Sequence, residues 1–135
     1  MSRQRITTVL AVLTGATVIF FGLNFLLNPA APDGFGITPW PQGNATGYFV
    51  VKGVRDLAVG GTVLVLLALG QRRALGWVVL LDALVPLGDA TAVTTHGGTL
   101  GFALAVHGSA ACVVLLTAAL LLTEGRTAPA PAARA

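Results

Sequence analysis

Six ionisable side chains sit inside long apolar runs of this chain: Lys52, Arg55, Asp56, Asp82, Asp89 and His107. A charge placed in hydrocarbon costs about 2.5–3.5 kcal/mol on insertion scales, so such residues face the interior of a helix bundle and pair. Lys52, Arg55 and Asp56 stand at i, i+3 and i+4, which puts them on one helical face. Lys52 can pair with Asp56 within its own helix, leaving Arg55 to find a carboxylate elsewhere. Asp82 and Asp89 are seven residues apart, so two helical turns place them on one face at different depths. In a polar pocket closed off from lipid, a carboxylate or an imidazole can give or take a proton. Asp82, Asp89 and His107 are the acid–base candidates. Lys52, Arg55 and Asp56 would bind and orient, and Asn24 would bring an amide to the same end.

These residues need elements to hold them. A helix that crosses the hydrocarbon core takes roughly 20 mostly apolar residues. Four segments qualify, at about residues 6–27, 47–69, 74–93 and 99–122. At 1.5 Å of rise per residue, Asp82 lies about 12 Å and Asp89 about 22 Å from the inner end of the third segment. By the same measure Lys52 is about 8 Å, and Arg55 and His107 each about 12 Å, from the outer ends of theirs. The depths converge in the outer half. The expected pairing is Arg55 with Asp89 or Asp82, with His107 close by. Asp82 lies near the midplane without a depth-matched cation, which makes it the sharper acid candidate. Pro86 lacks a backbone donor and frees the carbonyl of Asp82, so a kink there would open space beside the cluster. The competing reading is that carboxylate–cation pairs only lock the helices together, with His107 as a neutral hydrogen-bonding partner.

Composition points to lipid as the solvent. The 135 residues are 55% hydrophobic and 10% charged, with a mean hydropathy of +0.83. An ordinary soluble protein is about 25% charged. The net charge of +3 does not mark a nucleic-acid binder. The arginines cluster at segment ends (Arg3 and Arg5, Arg72 and Arg73, Arg126 and Arg134), with no basic stripe interleaved with aromatics. The connections at 28–46 and 94–98 contain no lysine or arginine. By the positive-inside rule both termini are cytoplasmic, and the expected location is the inner (plasma) membrane. Arginine outnumbers lysine seven to one, a bias suggesting a bacterial source. The first segment is too long for the apolar region of a signal peptide and reads as a span.

The remaining features are structural expectations. Gly15 and Gly22, Gly53 and Gly60, and Gly101 and Gly108 are each seven apart, so each pair lies on one face. Small residues let helices approach closely in lipid, within the bundle or between copies of a homo-oligomer. The first loop is dense in turn formers, and Phe35, Ile37 and Trp40 would lay it on the membrane surface or cap the bundle. Trp40 reads as an interface anchor, and His96 belongs to an exposed turn. Cys112 has no partner within the chain, so there is no disulfide framework. No metal or cofactor is expected. Residues 125–135 form an Ala/Pro-rich tail expected to be disordered, which leaves 1–124 as the helical domain.

Lys52-Gly53-Val54-Arg55-Asp56 in the second segment and Pro86-Leu87-Gly88-Asp89 in the third resemble a family of small bacterial and fungal four-helix membrane proteins of unknown function. That family is marked by a lysine-glycine-x-arginine-aspartate segment and a later aspartate. The resemblance covers roughly residues 6–122 and implies the fold and topology without an activity. A more distant similarity is to DoxX-like four-helix proteins. The expectation is an all-α integral membrane four-helix bundle. Its partners would be the bilayer and a small lipophilic molecule, bound or transformed by acid–base chemistry such as isomerisation or cyclisation. The alternative is a structural or accessory membrane protein.

Overall fold

Helix α1 (Arg3–Leu27) starts at Ser2, whose hydroxyl accepts from the Arg5 N–H. It ends at Asn28, which Pro29 forces out of the helical region. The computed structural model describes residues 2–124. The expected tail, with Arg126 and Arg134, lies outside the described residues. Two short 3₁₀ turns, Ala31–Phe35 and Gly43–Thr46, lead into α2 (Gly47–Ala68). That helix stops just before Gly70, whose φ of 69° is the left-handed conformation that favours glycine. Helix α3 (Arg72–Thr95) and helix α4 (Leu100–Leu122) complete the chain, and no strand is present among the described residues.

Two helices carry irregularities, and only one could be anticipated. In α3 the regular hydrogen bonding lapses at Ala83, between the halves Arg72–Asp82 and Leu84–Thr95. Pro86 cannot donate to the carbonyl four residues earlier, and its ring crowds that same carbonyl of Asp82. In α4 one turn, Leu104–Gly108, is π-helical. Such a turn inserts an extra residue and rotates the side chains that follow.

The glycines explain how α1 and α2 pack. The two helices run antiparallel, with Gly22 opposite Gly53 and Gly15 opposite Gly60. A Cβ on Gly60 would lie 2.6 Å from the Gly15 carbonyl oxygen, and one on Gly22 would lie 2.8 Å from that of Gly53. Backbones this close gain dispersion and leave no gap. The spacing at Gly101 and Gly108 has no such use among the described residues: a Cβ on Gly101 would meet nothing within 4 Å. Gly76, which follows no seven-residue pattern, instead brings α3 against Leu121 and Leu122 of α4.

Ala11, Val63, Leu75, Val79, Ala118 and Leu121 form a buried cluster drawn from all four helices, at the end of the bundle where α1 begins and α4 finishes. The surface is unlike that of a water-soluble protein. Phe20, Val51, Leu81, Leu84 and Leu116 are exposed, whereas Thr7, Asp56, His107 and Thr117 are buried. Helices α1, α3 and α4 are long and apolar enough to cross a membrane. Helix α2 is 22 residues long and carries Lys52, Arg55 and Asp56 in its first half.

Candidate functional site: a lysine-centred polar cluster

The first half of α2 places its three charges together, as the i, i+3, i+4 spacing requires. Asp56 is only 4% exposed. It accepts from the Lys52 ammonium at 2.9 Å and from Nε and Nη2 of Arg55 at 3.1 and 2.9 Å. The pairing of Arg55 with Asp89 or Asp82 expected from depth is not what forms: Arg55 folds onto the neighbouring carboxylate of Asp56. Asp89 of α3 lies against Lys52 instead, at 3.8 Å. Arg55 is the exposed member of the set, and a helical side chain leans toward the helix N-terminus, here the end bearing the loops.

Lys52 is the hub. Besides its two carboxylates, its ammonium lies 4.9 Å from the ring centre of Phe25 in α1 and 5.3 Å from that of Phe35 in the first 3₁₀ turn. Both distances suit a cation–π contact, worth more when the cation is shielded from water. One nitrogen thus joins groups from α1, α2, α3 and the loop.

The loop folds back over this cluster. Phe35 packs edge-on to Phe25, and its carbonyl oxygen is 3.0 Å from Nε2 of His107. A carbonyl only accepts, so Nε2 carries the hydrogen and donates it. His107 is 7% exposed, sits in the π turn of α4, and its ring centre is 4.9 Å from that of Phe35. Gly36 follows at a φ of 97°, and a Cβ there would strike the Phe102 ring at 2.4 Å. The Trp40 indole N–H donates to Asp33 at 2.5 Å, and its ring meets Phe49. The expectation that this loop caps the bundle fits the geometry, and Trp40 serves as an internal staple of that cap. His96, as anticipated, is exposed.

Two candidates stay apart from the hub. Asp82 is half-buried, and its Oδ2 has no hydrogen-bond partner among the described residues. Asn24 uses its side-chain oxygen to accept from Asn28 at 3.1 Å, which belongs to the end of α1 rather than to the charge cluster.

A second polar cluster at the opposite end was not anticipated from the sequence. Arg72 donates Nε and Nη2 to Glu124 at 2.5 and 2.9 Å, and Nη1 to the Thr8 hydroxyl at 3.1 Å. Its remaining contacts are the Gln4 carbonyl at 3.4 Å and the Thr7 hydroxyl, which also donates to Glu124. The Arg72 guanidinium holds the Glu124 carboxyl below its ordinary range, against an opposing effect of burial. Arginine beside a short turn reads as a topology signal, which hides its pairing with a residue fifty-two positions away. Glu124, the one acidic residue near the C-terminal end, was the available hint.

No curated protein and no solved structure matches this chain. One family model does, over residues 15–121, and it carries no indication of a DoxX-like relation. That match spans most of the chain and includes every residue of the Lys52 cluster, so the chain belongs to the family described as domain of unknown function DUF4267.

Proposed function

We propose that this chain is a structural or accessory protein of the bacterial inner membrane, crossing it four times with both termini cytoplasmic. In this reading the buried charges are a lock that sets the arrangement of the helices, and they do not react. The observation that carries it is Lys52, whose ammonium is shared by groups from α1, α2, α3 and the loop. Asp56 is held by two cations through three hydrogen bonds and is almost wholly buried, which suits a structural anchor. The outward apolar surface and the grouping of Arg3, Arg5, Arg72 and Arg73 at one end of the bundle support the four-span placement. Helix α2 can cross because Lys52 and Asp56 turn inward, Arg55 pairs with Asp56, and Asp89 of α3 supplies the second carboxylate, which lowers their insertion cost.

The test is complementation of a deletion strain by Lys52→Met/Arg55→Leu/Asp56→Leu/Asp89→Leu. Replacing a whole buried ion set with apolar groups of similar volume is often neutral for stability. If the charges only hold helices, this variant folds and restores the phenotype. A folded variant that fails to restore it would mean that the charges do chemistry.

One observation favours a second reading, in which a small lipophilic molecule is bound and transformed by acid–base chemistry. The half-buried Asp82 keeps an oxygen without a partner beside the helix break, and an unused ionisable group inside a membrane helix is a functional candidate by default. Asp82→Asn separates the two readings. It should leave both phenotype and thermal stability unchanged under the lock reading, and should abolish the phenotype with folding intact under the other.

A further inference from the structure

At the end of the bundle that carries both termini, a cavity of about 680 Å³ opens between α3 and α4. Arg73, Trp77 and Leu80 line it from α3, facing Leu121, Leu122 and Glu124 at the end of α4. Its volume falls within the range of sites that hold small molecules, about 300–1,000 Å³.

The charges on its rim do not cancel. Arg72 and Glu124 form a two-point pair, and the other donors of Arg72 are taken by Thr7, Thr8 and the Gln4 carbonyl. Arg73 is exposed and has no hydrogen-bond or ion-pair partner among the described residues. The rim therefore presents one unsatisfied positive charge. Arg73, Trp77 and Leu80 stand at i, i+4 and i+7, so they form a single stripe along α3. Over its length of about 10 Å the stripe passes from a cation, through a half-exposed indole, to an aliphatic wall. Phosphate, ester and acyl chain follow one another in that order along a phospholipid. Gly76, beside this stripe, lets α3 close on Leu121 and Leu122.

We infer that this groove is a binding site for one anionic phospholipid, with the phosphate on Arg73, the glycerol ester level with Trp77, and the start of an acyl chain against Leu80, Leu121 and Leu122. The inference rests on the four-span reading, which puts this end at the cytoplasmic leaflet. Trp is favoured at that level, and anionic lipid headgroups attract basic residues there. A zwitterionic headgroup would bring its own cation toward Arg73, so the unbalanced rim selects for net negative charge.

Bromine on a lipid acyl chain quenches tryptophan fluorescence on contact, and the chain has two tryptophans. The full chain carrying Trp40→Phe, reconstituted in phosphatidylcholine vesicles, reports Trp77 alone; a Trp77→Phe variant supplies the Trp40 background if the first variant is poorly folded. Brominated phosphatidylglycerol should quench Trp77 saturably, at a mole fraction several-fold lower than brominated phosphatidylcholine. Arg73→Gln should abolish that preference. Equal, unsaturating quenching by both lipids would overturn the site, as would a preference that survives Arg73→Gln. Relief of quenching by millimolar inorganic phosphate would reassign the groove to a free anion and overturn the lipid. No quenching by either lipid would instead overturn the membrane placement on which the site depends.

Discussion

At Lys52 a single ammonium contacts Asp56, Asp89, Phe25 and Phe35, drawn from three helices and the loop. Removing it leaves Asp89 without a cation among the described residues and the almost wholly buried Asp56 with Arg55 alone. Breaking a buried pair by deleting one partner costs about 3–5 kcal/mol, so Lys52→Met should lower the thermal midpoint sharply, read by circular dichroism in detergent. The spacing of Lys52 and Asp56 made their bond legible in the sequence, because i and i+4 meet on any helix. The partner of Asp89 was not legible. Assigning Lys52 to Asp56 left Arg55 as the expected partner of Asp89, but Lys52 takes both carboxylates under Phe35, which comes from a loop whose path no local pattern predicts. The Arg72–Glu124 pair makes its own prediction. Glu124 is held below its ordinary range in the folded chain, so it contributes stability above the ordinary carboxylate pKa of about 4.3. That contribution is lost as the pH falls through the lowered folded value. Thermal midpoints measured from pH 7 downward should fall in the acid range, and Glu124→Gln should be less stable at pH 7 with a shallower acid decline.

Among the elements, the α1–α2 pair depends on the absence of side chains. Gly60→Ala drives a methyl group to 2.6 Å from the backbone carbonyl of Gly15, which cannot yield as a flexible side chain would. Overpacking of this kind costs about 1–3 kcal/mol. Gly61, one residue on, has nothing within 4 Å of a built Cβ. Gly61→Ala should be neutral, or stabilising by about 0.4–1 kcal/mol through the unfolded chain. Paired thermal melts of the two variants check the contrast. The break in α3 was readable because a proline's missing donor acts on a known carbonyl. The π turn around His107 was not, since an inserted residue in a helix is settled by packing against Phe35 and Phe102 and leaves no sequence period behind. The seven-residue glycine spacing was informative for α1 and α2 but not for α4, where Gly101 meets open space.

Across the whole molecule the acidic residues are nearly all accounted for: Asp33 holds Trp40, Asp56 and Asp89 hold Lys52, and Glu124 holds Arg72, leaving one oxygen of Asp82 alone. One polar cluster closes each end of the bundle, and the apolar cluster lies nearer the end that carries the termini. The proposed topology predicts which end faces outward. In a Cys112→Ser background, an impermeant maleimide applied to spheroplasts should label Gln42→Cys and not Gln71→Cys; the reverse pattern would invert the topology. The lock itself is tested most directly by comparing thermal midpoints of the wild type, Lys52→Met, and Lys52→Met/Arg55→Leu/Asp56→Leu/Asp89→Leu. The account predicts a large loss in the single variant and recovery close to wild type in the fourfold one. A single variant as stable as the wild type would contradict it.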